Sequence, residues 1–198
     1  MQKWKTALIG AAIIGFGLNA ISLATAAPEP KNPKRQTPWH LYVSSTEAFE
    51  MEKSLGDKVL FVDVRDPIEI MFTGFTDSVD VNVPFKLADR SAWHPKKPVF
   101  NMVTNTHFEQ DIEAALKKRG MSKKDKIIIM CRSGGTRGAP AAKALWGKGY
   151  SQVYVVTDGF EGGKLKKGDK KNWRLKNGWK NSGLPWGYKL NQSKMYMK

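Results

Sequence analysis

The alternation of apolar and polar positions divides the chain into short buried runs separated by amphipathic stretches. Ile127-Ile128-Ile129-Met130 is the most hydrophobic run beyond the N-terminal region. It reads as a central strand that delivers Cys131 at its C-terminal end. Segment 59–65, mostly apolar and β-branched and ending in charged residues, reads as a second buried strand. Segment 79–83 alternates and predicts a strand ended by Pro84, and 153–156 predicts another. Helical periods lie between them. Ser44 or Ser45 caps a helix with Glu47 or Glu50 in its first turns and an apolar face from Ala48, Phe49 and 51–55. Segment 106–118 puts Phe108, Ile112, Ala115 and Leu116 on one face, with Gly120 as its stop. A third helix runs over 138–146, with Pro140 in its first turn and Gly147 and Gly149 ending it. Segment 86–102, punctuated by prolines, reads as an irregular excursion. The strand–helix–strand spacing across 127–156 is a βαβ unit. The fold class expected is therefore α/β in three layers, a mostly parallel central sheet with helices on both faces.

The first residues change the picture of organisation. Lys3 and Lys5 precede an apolar stretch over 7–23, and Ala24-Thr25-Ala26 supplies a small-x-small cleavage pattern. Residues 1–26 read as a signal peptide, 27–38 as a flexible linker rich in Pro, Lys and Asn, 39–188 as one domain and 189–198 as a tail. The rival to cleavage is an uncleaved anchor, but Gly10, Gly15, Gly17 and Asn19 interrupt a run barely long enough to span. The expected location is a bacterial periplasm, with no stable membrane association after cleavage.

With 41% apolar residues the body of the chain is not expected to be disordered. The formal net charge of +15 points first to nucleic acid. Export would put that partner in another compartment, and the lysines fall in short clusters with no aromatic interleaving. A solvated basic surface that attracts small anions is the reading kept. Segment 162–169, rich in lysine, is taken as solvated loop. His40, His94 and His107 lack ligand spacing, so no metal and no other cofactor is expected.

Cys131 is the only cysteine, so no intramolecular disulfide can form. A lone thiol is most often a small buried hydrophobe. Here it opens the loop Cys131-Arg132-Ser133-Gly134-Gly135-Thr136-Arg137 between a strand end and a helix start. Glycines let such a loop curl its backbone N–H groups inward. A nest of that kind, backed by the helix dipole, binds anions and favours a thiolate. Arg132 and Arg137 add positive charge.

The segments Phe61-Val62-Asp63-Val64-Arg65, Cys131-Arg132-Ser133-Gly134, Val153-Tyr154 and Asp158-Gly159-Phe160-Glu161-Gly162 resemble the rhodanese family, in that order. Gly178-Trp179-Lys180 and Gly183-Leu184-Pro185 extend the resemblance to nearly all of 39–186. It implies a sulfurtransferase of the thiosulfate type. Cys131 would take sulfane sulfur from a small anionic donor as a persulfide and pass it to a protein or small-thiol acceptor. Arg132, Ser133, Gly134, Gly135, Thr136 and Arg137 would cradle the substrate. Asp63 and Arg65 would support the loop, as a bracing ion pair or in contact with substrate. Two departures from the family pattern stand out. Gly74-Phe75-Thr76-Asp77-Ser78-Val79 lacks the family's histidine, and Arg137 lies six residues after the cysteine rather than five. The Cys-x5-Arg spacing resembles phosphatases and arsenate reductases, which remain the alternative enzyme class. A non-enzymatic binding module or sulfur-relay carrier is the alternative outside enzymes.

Overall fold

The computed structural model describes residues 27–198, so the signal-peptide reading lies outside the described residues. Five parallel strands form the central sheet in the order β1-β7-β6-β2-β3. They are β1 (Tyr42–Val43), β2 (Val59–Asp63), β3 (Val81–Asn82), β6 (Lys126–Met130) and β7 (Gln152–Val156). Side chains alternate across the pleat, so the sheet feeds two cores. Leu60, Val62, Ile127 and Ile129 pack with Ile112 and Leu116 of α3 (Phe108–Lys118) and Ala141, Ala142 and Leu145 of α4 (Gly138–Leu145). Val59, Phe61, Ile128 and Met130 face the other way, onto Ala48 of α1 (Ser45–Leu55), Ile70 of α2 (Pro67–Thr73) and Trp179. This is the three-layer α/β architecture expected. Among the described residues no helix is long and apolar enough to cross a membrane.

The helix signals act through local chemistry. The Ser44 hydroxyl accepts from the Glu47 N–H at 3.2 Å, and the Glu47 carboxylate accepts from the Ser44 N–H at 2.6 Å, a complete capping box. Gly120, at φ 68°, closes α3: Met121 N–H donates back to Leu116 O at 2.9 Å.

Three segments depart from expectation. The excursion over 86–102 is an antiparallel hairpin of β4 (Lys86–Trp93) and β5 (Phe100–Thr104). Pro95 and Pro98 sit in its connection, where no ladder N–H is lost. The supposed linker 27–38 folds back onto the domain. Asn32 caps a 3-10 turn over Pro33–Arg35, and the Tyr42 hydroxyl accepts from Thr37 N–H at 2.7 Å and donates to Glu29 at 3.2 Å. The tail 189–198 also packs. Lys194 pairs with Asp77, Tyr196 N–H donates to Asn82 Oδ1 at 3.4 Å beside β3, and Lys198 pairs with the buried carboxylate of Asp111.

Candidate active site

Cys131 follows β6 directly, beside the end of β2, because Asp63 and Met130 are paired in register. The site thus lies at the C-terminal edge of a parallel sheet, where ligand crevices form. Cys131 is buried, and a methyl group on Gly138, the first residue of α4, would lie 3.4 Å from its Sγ. The glycine lets the helix start approach the sulfur closely. Gly134, at φ 61°, is required on both counts: its backbone is left-handed, and a side chain there would overlap the Thr157 carbonyl. Gly159 brings the Asp158-Gly159-Phe160 turn against the loop, so that Phe160 N–H donates to Cys131 O and Glu161 N–H to Arg132 O, both at 2.8 Å.

The Cys131 and Arg132 carbonyls are thereby satisfied, but the loop's donors are not. Among the described residues, no backbone N–H of residues 132–137 donates to a protein acceptor, although Gly134, Gly135 and Arg137 are buried. Buried N–H groups without partners are rare in folded proteins. A cluster of them at a helix start is a site for an anion.

The two loop arginines do not point free charge at that site, contrary to expectation. Arg137 is buried and bidentate on Glu69 of α2, with Nη1 to Oε2 2.5 Å and Nη2 to Oε1 2.8 Å. A guanidinium this buried needs a carboxylate to offset its desolvation. Arg132 is half-exposed and pairs with Glu161, with Glu69 at 3.9 Å. Burial alone would push the Glu69 carboxyl up. The hydrogen bonds from Arg137 and the charges of Arg137, Arg65 and Arg132 outweigh it and hold Glu69 below the usual carboxylate range. The same pairing raises Arg137, against its burial.

Asp63 and Arg65 form a fully buried ion pair of 2.6 Å. Arg65 also donates to Thr73 Oγ1 at 2.8 Å and Gly74 O at 3.0 Å, and its guanidinium lies 4.0 Å from the centre of the Phe160 ring. Every contact ties α2 and the Phe160 turn to the sheet, so the pair braces the loop's surroundings. Gly74, within the stretch that lacks the family's histidine, still supplies this carbonyl. Ser133 and Thr136 lie at the loop's surface. Sequence reasoning assigned no role to Glu69 and none of its own to Glu161, which hold the two arginines. Asp66, which caps α2 by accepting from Ile68 N–H at 2.7 Å, and Pro67 at the helix start are the local signals for the helix that carries Glu69.

A family model described as the rhodanese-like domain matches residues 47–166. The chain belongs to the rhodanese-like domain family. Among solved structures it is similar to Rv0390 from M. tuberculosis, with 27% identity and a TM-score of 0.53 over 75% of this chain and 97% of that one. Weaker similarity links it to two others. One is the polysulfide-sulfur transferase homodimer from Wolinella succinogenes, with 20% identity and TM-score 0.40 over 73% of this chain and 76% of that one. The other is RPA3614 from Rhodopseudomonas palustris, described as a possible tyrosine phosphatase, with 23% identity and TM-score 0.35 over 59% and 73%. No curated protein sequence matches the chain.

Proposed function

We propose that the protein is an exported sulfurtransferase that carries sulfane sulfur on Cys131. The observation that carries this reading is the run of N–H groups without protein partners at residues 132–137, next to a thiol at a helix start. Such a run of donors suits a bound anion and, after transfer, the negative charge of a persulfide. The Cys131 thiolate attacks the outer sulfur of a donor such as thiosulfate. A bond from Sγ to that sulfur forms, the donor's S–S bond breaks, and sulfite leaves with the electron pair. Cyanide or a thiolate acceptor then attacks the outer sulfur and returns Cys131 as thiolate. Neither step needs a second cysteine, a metal or a general acid.

That requirement separates this reading from phosphate-ester hydrolysis, which needs an acid to protonate the leaving group. Asp66 accepts from Ile68 and Ala88 N–H groups, and Asp63 is held by Arg65. Glu69 and Glu161 are held by arginines, and Glu69 is further deprotonated by them. Each is already engaged by a partner of its own rather than aimed over the loop. Incubation with thiosulfate is expected to add the mass of one sulfur atom, removable by cyanide, and Cys131→Ser is expected to abolish thiocyanate formation. Undiminished turnover in that variant overturns the reading. Cys131-dependent phosphate release without thiocyanate would assign the loop to the phosphatase class. For export, the expected mature N-terminus is Ala27.

A further inference from the structure

Residues 163–176 form a cationic arm rooted on the Cys131 loop. The arm holds seven lysines and arginines against the single carboxylate of Asp169. Leu165 N–H donates to Trp173 O at 2.9 Å and Asn172 N–H to Leu165 O at 3.0 Å, with a turn closed by Lys171 N–H on Gly168 O. Its base is fixed where Gly162 N–H donates to Arg132 O at 3.2 Å and Arg174 Nη1 donates to Gly162 O at 2.7 Å. The arm is therefore a built projection rather than the loose solvated loop its composition predicts.

A cavity of about 730 Å³ lies on one flank of the arm, reaching Ser133 of the Cys131 loop and lined by Arg35, Lys164, Lys166, Lys171 and Lys176. The arm's one ion pair among the described residues is Arg174 with Glu161, at 3.9 Å. Asp158, the only carboxylate lining this cavity, already accepts from Ser45 N–H, Ser45 Oγ and Gly178 N–H. The positive charge there is thus uncompensated. On the other flank a cavity of about 500 Å³ runs from Arg132 to Trp173, which is 60% exposed, as is much of Leu175. Beyond Arg132, α2 turns Ile68, Met71 and Phe72 outward. Their i, i+3, i+4 spacing makes one exposed apolar stripe on the helix that Glu69 links to Arg137. Two apolar patches and a cationic arm thus adjoin residues of the loop that carries the recessed thiol. Contiguous exposed apolar surface with a charged rim marks an interaction site.

We propose that this surface docks an acidic protein that accepts sulfur from Cys131 through a thiol on an extended segment. The inference rests on the sulfurtransferase reading. The partner's thiolate, its proton lost to solvent, attacks the outer sulfur of the Cys131 persulfide. A new S–S bond forms on the partner, the Sγ–S bond breaks, and Cys131 leaves as thiolate. Charge complementarity selects an acidic surface for the arm, and Trp173 and the α2 stripe supply apolar contacts. A recessed thiol between two cavities selects an extended segment over a flat bilayer.

Two synthetic peptides, each with one cysteine, test this: one glutamate-rich, one with lysine at the same positions. Binding is read by fluorescence anisotropy on Cys131→Ser protein, and sulfur transfer on persulfidated wild type. The acidic peptide is expected to bind and to accept sulfur on the order of 10-fold faster at low salt, an advantage that salt removes. Lys166→Glu/Lys171→Glu is expected to abolish that advantage, and Trp173→Ala to weaken binding, while both leave thiosulfate:cyanide turnover within about twofold. Equal reactivity of the two peptides, or an acidic advantage that survives charge reversal, overturns the proposal. So does binding to phosphatidylglycerol-containing vesicles with none to the acidic peptide. If the acidic peptide binds in an arm-dependent way but thiosulfate yields no persulfide, the docking surface stands and the sulfurtransferase reading falls.

Discussion

Glu69→Gln removes the negative charge of the carboxylate that Arg137 contacts directly. Arg137 is 7% exposed, so in the variant its guanidinium stays buried beside an amide with one acceptor oxygen, whose NH2 opposes the second guanidinium N–H. Breaking a buried pair by removing one partner costs about 3–5 kcal/mol, and the retained hydrogen bond offsets about 1 kcal/mol of that. The expected loss is about 2–4 kcal/mol, or a fall of roughly 4–16 °C in Tm for a domain of this size. Urea titration at several pH values is the assay. Because Glu69 binds its proton less tightly folded than unfolded, its contribution is fully present above the usual carboxylate value of 4.5. It is lost as pH falls below that value through the lower folded one. The gap between wild type and Glu69→Gln should therefore be widest near neutrality and narrow in acid. A variant within about 0.5 kcal/mol of wild type at pH 7, or a gap that widens in acid, would refute the account of Arg137.

Further outcomes follow from the same geometry. Gly134→Ala, whose side chain would overlap the Thr157 carbonyl, should lose activity and several kcal/mol of stability, on the order of 3 or more, by thermal melt and thiocyanate assay. Arg65→Leu leaves Asp63 buried and unpaired, and should destabilise by about 3–5 kcal/mol in denaturant titration. Arg132→Gln, at a half-exposed pair, should cost no more than about 1 kcal/mol, so any larger effect on donor KM would report contact with the donor. N-terminal sequencing of protein from a periplasmic extract should begin at Ala27, and recovery of the uncut chain in membranes would support an anchor instead.

β2 and β6 were legible because each is buried nearly along its whole length and reads as a continuous apolar run, whereas β1, two residues long, gave no such run. The Cys131 loop was legible because glycines, a thiol and a strand end coincide. What escaped had a physical reason in each case. α2 buries only Ile70 and turns Ile68, Met71 and Phe72 outward, so its apolar pattern is that of a surface turned inside out. The β4–β5 hairpin is half-exposed along its length, and its prolines masked its ladder. The pairing of Arg132 and Arg137 escaped because Glu69 and Glu161 are remote in sequence: carboxylates 68 and 29 residues away decide whether those charges are free. Residues 27–38 and 189–198 have linker composition, but scattered contacts with Tyr42, Asp77, Asn82 and Asp111 hold them down, and no periodicity announces such contacts.

Trp179 is fully buried between Phe49 of α1 and Phe61 of β2, and its indole N–H donates to Pro185 O at 2.9 Å. Phe75 exchanges two backbone hydrogen bonds with Gly187, of 2.8 and 2.9 Å. One of the two cores is therefore closed by residues far downstream of the helix and strand they cover. During synthesis α1 and β2 emerge long before the indole that separates them from water, so a nascent chain halted ahead of residue 179 carries an open apolar slot. Closure of that core and arrival of the segment around Trp179 become nearly the same event. A domain built this way stays open while α1, β2 and the strands after them are made, and locks only when Trp179 arrives.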